Sequence, residues 1–409
     1  MAGFAGSQGE TYVNNLTPWC ERVNTIPPVD LGQQYKTISE EVNAAVLQVL
    51  ASGRYINGPV VEAFEQQLGQ YIGAAYCLGC NSGTDALFVA LKALQIGPGD
   101  EVITTPFTFI ATAETISAVG ATPVFVDIDL QTFNIDLEQV EAAITERTKA
   151  IIPVHLFGQP VDMTRLMAIA QTHNLKVIED CAQAAGAEWA NQKVGSIGHI
   201  GCFSFFPTKN LGACGDGGAV TTNDSALADA IRMLRDHGRH TGYYHQRIGV
   251  NSRLDALQAA ILQIKLRHLD SWNNQRRARA EYYGKLLGQL SSVIAPAEIA
   301  SSLHAWNYYT IRLTAEPSSG KQAERSASFL REQVQSQLNQ QGINCLVYYP
   351  IPLHLQPVYA DLGYQPGRFQ AAEQAAHQVL SLPMFPELST EQQERVVYSL
   401  KDSLIQVTE

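Results

Sequence analysis

The chain has 409 residues, of which 45% are hydrophobic and 16% are charged, and its formal net charge is −11. This composition excludes a disordered chain, and the length predicts two domains or one large domain with an appendage. The acidic charge argues against nonspecific binding to nucleic acid, and no apolar run is long enough to predict a transmembrane helix.

The N-terminal residues 1–25 lack the basic start and the apolar stretch of a signal peptide, so we expect a flexible extension there. The seven cysteines are scattered along the chain. This pattern predicts a reducing, cytoplasmic location without a disulfide framework. Cys77 and Cys80 form a CxxC pair, but no second pair accompanies it, and we predict no metal site.

Helical and strand patterns alternate from about residue 37 onward. Apolar residues at helical spacing predict helices over 38–51, over 59–71 and after Asp85. Short runs rich in β-branched residues predict strands that begin near residues 101, 122, 150, 176, 200 and 218. Such alternation is typical of an α/β fold with a mostly parallel sheet that helices cover on both faces.

The character of the chain changes after a long helix predicted over 252–285. The strand-like segments TIRLTA and INCLVYYP, with a helix predicted over 323–341 between them, indicate a smaller α+β unit. We therefore predict a flexible extension over 1–25, a large domain over 26–280 and a small C-terminal domain over 281–409.

Lys209 stands out because it follows the aromatic run Phe203, Phe205 and Phe206 and precedes a glycine-rich segment, 212–218. Burying a lysine among aromatic rings is costly unless the amine is neutral or covalently used. A desolvated lysine with a lowered pKa is what a Schiff-base nucleophile requires. A lone lysine at a strand end could instead extend to water, so its neighbours decide the interpretation.

Further polar residues follow the other predicted strands, whose carboxyl ends meet at one edge of a parallel sheet. Asp180 ends an apolar strand, and Gln183 follows three residues later. A buried carboxylate needs a cationic partner, for which a pyridinium nitrogen would be suitable. The Gln183 amide would suit the phenolic oxygen of the same ring.

A small polar turn and an aromatic pair complete the set. Ser82, Gly83 and Thr84 open a helix, where free N–H groups and the helix dipole favour a phosphate, although an ordinary helix cap explains the same residues. Ser204 ends the strand that precedes Lys209. Phe107 and Phe109 lie beside a loop, where a flat cofactor could stack on one of them, or where both could pack in the core.

Together these residues are the parts that a pyridoxal 5′-phosphate site needs: a lysine, an acid for the ring nitrogen and a cradle for the phosphate. Asp180 would keep the ring nitrogen protonated. Lys209 would hold the cofactor and then act as general base and acid.

Five segments resemble the DegT/StrS-type sugar-nucleotide aminotransferases: NSGTDAL, TTPFTFIATAET, VIEDCAQAAGA, SFFPTKNLGACGDGGA and GVNSRLDALQAAIL. The likeness runs from about Pro28 to near the C-terminus. It implies the aspartate aminotransferase fold, fold type I of pyridoxal phosphate enzymes. It also implies transfer of an amino group from L-glutamate to a keto group of a nucleotide-linked sugar, with pyridoxamine phosphate as the intermediate cofactor form.

The same resemblance implies roles for individual residues. Lys209 resembles the lysine that binds the cofactor, and Asp180 and Gln183 resemble the partners of its ring. Gly83, Thr84 and Ser204 resemble phosphate ligands, and Phe109 resembles the stacking aromatic residue. Asn251 matches an asparagine that reaches the phosphate of a neighbouring subunit, which implies a homodimer with shared sites. A lysine at position 209, rather than the histidine of some relatives, implies transamination instead of dehydration.

The chain shows a closer likeness to enzymes that aminate the 3-keto group of UDP-linked 2-acetamido sugars, including the uronic acids. This likeness implies that Arg253, Tyr348 and Tyr349 contact the sugar nucleotide, although Arg253 could instead pair with Asp255 or a backbone carbonyl. Tyr348 stands where close relatives often have histidine.

Two alternatives remain for the function of the chain. One is an aminotransferase for a dTDP-linked 3-keto- or 4-keto-6-deoxyhexose, and the other is a regulatory homologue without catalysis. His237, His240 and His245 lack a carboxylate or cysteine that would complete a metal site, so we predict no metal there.

Overall fold

The computed structural model describes residues 25–314 and 321–408. The predicted N-terminal extension therefore lies, except for Thr25, outside the described residues. None of the helices in these two ranges is long and apolar enough to cross a membrane.

The N-terminal part of the chain alternates helices and strands. Its elements are α1 (Leu31–Ser52), α2 (Pro59–Ile72), β1 (Tyr76–Cys80), α3 (Gly83–Ala93), β2 (Glu101–Thr104), α4 (Ala111–Ala118), β3 (Thr122–Phe125), α5 (Leu137–Val140), β4 (Thr148–Ile151), α6 (Met163–Thr172), β5 (Lys176–Asp180), β6 (Glu188–Trp189), β7 (Gln192–Lys193), β8 (Ile200–Ser204), β9 (Gly218–Thr222) and α7 (Ser225–Leu234).

The C-terminal part begins with a short hairpin and a long helix. Its elements are β10 (Arg239–Thr241), β11 (Tyr244–His245), α8 (Ala256–Leu287), β12 (Val293–Ile294), β13 (Ser302–Leu303), β14 (Tyr309–Leu313), α9 (Lys321–Gln340), α10 (Gln370–Gln378), β15 (Val379–Leu382) and α11 (Thr390–Thr408).

The two N-terminal helices show how local chemistry sets the helix ends. The Asp30 side chain accepts a hydrogen bond from the Gln33 N–H and caps α1, and Gly53 ends this helix in the left-handed region at φ 64°. The prediction of a helix over 38–51 is confirmed, but α1 begins seven residues earlier, at Leu31, because its cap supports a first turn with little apolar periodicity. The helix predicted over 59–71 is α2, which Pro59 opens.

The central sheet has seven strands in the order β1-β9-β8-β5-β4-β2-β3. Neighbouring strands run parallel from β8 to β3, whereas β9 is antiparallel to both of its neighbours. Apolar residues of α2 and α8 pack on one face, and those of α3 and α7 pack on the other. The predicted α/β fold with a mostly parallel sheet covered on both faces is therefore confirmed.

The helix α8 connects two hydrophobic cores. Leu262 and Leu269 belong to the core beside the large sheet, whereas Tyr283 and Leu287 pack in a second core with the strands β14 and β15. Ile26 also packs in this second core. The division of the chain at residue 280 stays a prediction.

The prediction of a strand over INCLVYYP is wrong. Ile343 forms an isolated bridge with Ile26, and Leu346 forms another with Ser381. Because the segment pairs with two different partners in turn, it makes no continuous ladder. The second sheet instead consists of β12, β14 and β15.

Three strand ends meet at one edge of the large sheet. Gly218, at the start of β9, pairs with Cys80 on one side and with Ser204 on the other. Asp180, at the end of β5, pairs with Cys202 of β8. The turns that follow β1, β5 and β8 are therefore neighbours in space.

Candidate active site

Asp180 is a buried carboxylate at the carboxyl end of β5. It accepts hydrogen bonds from the Thr112 hydroxyl (2.9 Å) and the Ala182 N–H (3.1 Å). Burial raises the pKa of Asp180, and these two donors and the charge of Lys209 oppose this rise. Since each of the opposing groups favours the ionised form of Asp180, this carboxylate is suited to bind a cation.

Lys209 follows β8 in the turn beside Asp180. Desolvation lowers the pKa of Lys209 to about 8, although the carboxylate of Asp180 acts in the opposite direction. The amine is therefore partly neutral near physiological pH, as a nucleophile must be.

The expectation that Lys209 lies among three phenylalanines is wrong. Phe203 and Phe205 point into the core beside α2 and α8, and 51% of Phe206 is exposed. The Lys209 Nζ instead lies 5.7 Å from the centre of the Tyr308 ring. Phe203 and Phe205 are two residues apart in extended chain, so both side chains lie on the face of the sheet that α2 and α8 cover.

Gln183 connects the strand end to an aromatic wall. Its Oε1 accepts a hydrogen bond from the Phe157 N–H (2.7 Å), and its Nε2 donates to the Tyr349 hydroxyl (3.0 Å). The carbonyl oxygen is thus used within the fold, and the amide N–H₂ lies on the side of Tyr349. This orientation leaves the second N–H of the Gln183 amide as a donor for the phenolic oxygen of a cofactor ring, the role that the sequence predicts for Gln183.

The turn before α3 forms a cradle against the end of β8. Ser82 caps the helix by accepting a hydrogen bond from the Asp85 N–H (3.0 Å), so the alternative of an ordinary helix cap is confirmed for this residue. A Cβ at Gly83 would lie 2.6 Å from the Cβ of Ser204, so a larger residue would separate these two segments. Thr84 lies in the first helical turn, where backbone N–H groups lack intrahelical partners.

Aromatic residues form the opposite side of the site. Phe107 is fully buried, whereas 55% of Phe109 is exposed. The Tyr349 ring lies 6.1 Å from Phe107 and 6.4 Å from Phe109, centre to centre, and Tyr348 packs on Tyr308 at 4.4 Å. Of the two phenylalanines, Phe107 is therefore core packing, and Phe109 offers a ring face.

Arg253 and Asn251 precede α8. The Arg253 Nη1 donates to the Asp236 carboxylate (3.1 Å), so the predicted alternative of a pair with Asp255 is wrong. Asn251 is exposed, and its backbone pairs with Asp236. Between them, Ser252 donates to the Asn81 side chain (3.1 Å), which places this segment beside the turn that opens α3.

Two residues of the site have no sequence prediction. Thr112 lies in α4, and its hydroxyl donates a hydrogen bond to Asp180. The only sequence feature that could have indicated this role is its position in the segment TTPFTFIATAET. Tyr308, the aromatic neighbour of Lys209, carries no local signal because it comes from the C-terminal part of the chain.

Among the described residues, one group has the spacing of a metal site: His155, Glu179 and Cys181. The Glu179 carboxylate accepts hydrogen bonds from the N–H groups of Gly195, Ile197 and Gly198, and the His155 Nε2 lies 3.1 Å from it. The His155 Nδ1 accepts a hydrogen bond from the Val161 N–H. These contacts explain the group as an internal hydrogen-bond network.

The fold is a mostly parallel α/β sheet, at one edge of which a lysine with a lowered pKa, a buried acid and a helix N-terminus come together. The sequence profile of the DegT/DnrJ/EryC1/StrS aminotransferase family matches residues 36–401, and the chain belongs to this family. It is an aminotransferase, and pyridoxal phosphate is its cofactor.

The relatives include sugar transaminases. The chain is 46% identical to a UDP-N-acetyl-3-dehydro-alpha-D-glucosamine 3-aminotransferase of Acidithiobacillus ferrooxidans, over 93% of this chain and 98% of that protein. It is 49% identical to a pleiotropic regulatory protein of Geobacillus stearothermophilus, over 92% and 98%. It superposes on the crystal structure of S. venezuelae DesV with a TM-score of 0.87 and 42% identity, over 93% and 98%.

Proposed function

We propose that the protein transfers an amino group from L-glutamate to the C3 keto group of a UDP-linked 2-acetamido sugar, in the biosynthesis of surface polysaccharide. The observation that carries this proposal is that Lys209, in the turn after β8, lies within the electrostatic reach of Asp180 at the end of the neighbouring strand β5, with the pKa of the lysine lowered to about 8. The A. ferrooxidans relative supports the keto position and the UDP-linked sugar.

The residues of the site fit pyridoxal phosphate. The buried Asp180 would pair with the protonated ring nitrogen, and the Gln183 amide would donate to the ring oxygen. Ser82, Gly83, Thr84 and Ser204 would hold the phosphate, because the α3 N-terminus and the contact of Gly83 with Ser204 form the cradle.

The cofactor, when bound, withdraws electrons from the carbon that bears the amino group and so acidifies its proton. Lys209 would anchor the cofactor and, once released, move that proton between carbon atoms as a neutral amine. Asp180 would keep its charge opposite the ring nitrogen, since Thr112 and Ala182 hold its carboxylate. Phe109 would cover one face of the ring.

The substrate side of the site includes Arg253, Tyr348 and Tyr349. Arg253 uses Nη1 for Asp236, and its remaining guanidinium donors suit a diphosphate or a sugar carboxylate. Tyr349 lies against Gln183 and Phe109, where it could contact a substrate bound over the cofactor.

The proposal includes a homodimer, because exposed Asn251 would reach the phosphate of a neighbouring subunit. It also includes a cytoplasmic location, as the use of cysteine predicts. A purely regulatory role, which the G. stearothermophilus relative's name suggests, would require neither Lys209 nor the buried Asp180.

The proposal is tested by following the visible absorption of the yellow holoenzyme through both half-reactions. L-glutamate should bleach the band, and a 3-keto UDP-2-acetamido sugar should restore it faster than its uronic acid or dTDP-linked ketosugars do. Borohydride should attach the cofactor to Lys209, as identified by peptide mapping. Lys209→Ala should abolish both half-reactions, whereas Lys176→Ala, an exposed lysine at the other end of β5, should leave them unchanged.

Failure of L-glutamate to change the spectrum would overturn the proposed donor. If only dTDP-linked ketosugars restore the absorption band, the substrate is a dTDP-linked sugar rather than a UDP-linked one. A colourless protein that binds no pyridoxal phosphate would reject the enzymatic role.

A further inference from the structure

A cavity of about 440 Å³ lies away from the proposed active site, between the loop after β3 and the sheet of the C-terminal unit. Leu130, Phe133, Ile294 and Pro296 contribute apolar walls, and Thr310 and Arg312 contribute polar groups. The volume is within the range of small-molecule pockets. None of the residues assigned to cofactor or substrate lines this cavity.

Arg312 is the only charged side chain that lines the cavity among the described residues. Only 8% of this residue is exposed. Along β14, Tyr309, Ile311 and Leu313 pack in the second core. The alternation of a strand therefore places Arg312 and Thr310 on the opposite face.

The hydrogen bond of Arg312 goes to a neutral group. Its Nη1 donates to the Gln378 Oε1 at 3.1 Å, and no carboxylate of the described residues forms an ion pair with it. The charge of Asp129 acts on Arg312 without a direct ion pair, and the Asp129 Oδ1 accepts the N–H groups of Gln131 and Thr132. A guanidinium has five N–H donors in a planar fork, and a carboxylate can accept two of them at once.

A second buried arginine shows the contrast. Arg331, which is 6% exposed, donates to the Ala376 carbonyl and pairs with Glu332. Its charge is therefore balanced within the chain. Arg312 instead donates to the neutral amide of Gln378, and it lies beside a cavity.

We propose that this cavity binds a small organic carboxylate with an apolar body, whose carboxylate pairs with Arg312. The planar guanidinium matches a carboxylate through two parallel hydrogen bonds. A single positive charge favours a monoanion over a phosphate dianion. The walls of Leu130, Phe133, Ile294 and Pro296 would cover the apolar body.

The test is calorimetric titration of the holoenzyme with benzoate, with its neutral isostere benzamide and with phenyl phosphate. We expect saturable binding of one benzoate per chain and binding of benzamide and phenyl phosphate that is weaker by about tenfold or more. Arg312→Gln should weaken benzoate binding to a similar extent. Arg253→Gln, on the substrate side of the proposed active site, should leave benzoate binding unchanged.

Ala297→Trp provides a second variant that keeps Arg312 and fills the mouth of the cavity, where Ala297 is exposed. It should also weaken benzoate binding, so the test remains decisive if Arg312→Gln does not fold. Absence of saturable binding, equal affinity for benzoate and benzamide, or full affinity in Ala297→Trp would overturn the proposal. Tighter binding of phenyl phosphate than of benzoate would overturn the choice of a carboxylate.

Discussion

The two faces of β5 carry adjacent buried carboxylates that the fold uses in different ways. On one face, Glu179 accepts three backbone N–H groups and contacts His155. On the other face, Asp180 has two donors and lies within the electrostatic reach of Lys209. A buried acid with a complete shell of donors stabilises the fold, whereas one with an incomplete shell is available for chemistry.

The largest expected effect is on the active-site face. Asp180→Asn removes the charge opposite Lys209 while it keeps the volume of the side chain. We expect transaminase activity to fall by about 10³-fold. The free energy of unfolding of the apoprotein should change by less than about 1 kcal/mol. Steady-state kinetics and urea unfolding measure the two quantities, and a large loss of stability with normal activity would reverse our assignment of the two acids.

The opposite face should respond in the opposite way. Glu179→Gln places an N–H₂ group against the N–H donors of the loop 195–198, so we expect a loss of about 3 kcal/mol in the free energy of unfolding. The folded fraction should keep its activity. Glu188→Gln is the matched control, because Glu188 pairs with Lys193 in a partly exposed position and should contribute below about 1 kcal/mol. Unchanged stability of Glu179→Gln would contradict a structural role for this network.

A smaller effect should follow from the shell of Asp180 itself. The Thr112 hydroxyl opposes the rise in the pKa of Asp180, so Thr112→Val should raise this pKa further. Less Asp180 is then ionised at a given pH, and the acidic limb of the kcat/KM profile should move to higher pH, with activity regained as the pH rises. Thr112→Ser keeps the donor and should keep the profile. A uniform loss of activity at every pH would indicate a packing defect instead.

Local patterns predicted the elements better than their contacts. Apolar periodicity was sufficient for α2, and β-branched runs were sufficient for every strand of the large sheet except β1, because these patterns depend on residues close in sequence. It failed for INCLVYYP, whose two backbone partners, Ile26 and Ser381, lie far away in the chain. The pairing of Arg253 with Asp236 rather than Asp255 is a similar case, since the partner comes from the segment after α7.

The sequence by itself determined that Asp180 and Ser204 stand at strand ends and that Lys209 follows in the next turn, because the end of an apolar run is a local property. Only the tertiary structure decided what those residues meet. It placed Lys209 beside Tyr308 rather than among phenylalanines, Thr112 beside Asp180, and a cavity beside Arg312. Burial and electrostatic environment depend on segments distant in the chain, and these segments lower the pKa of one lysine to about 8.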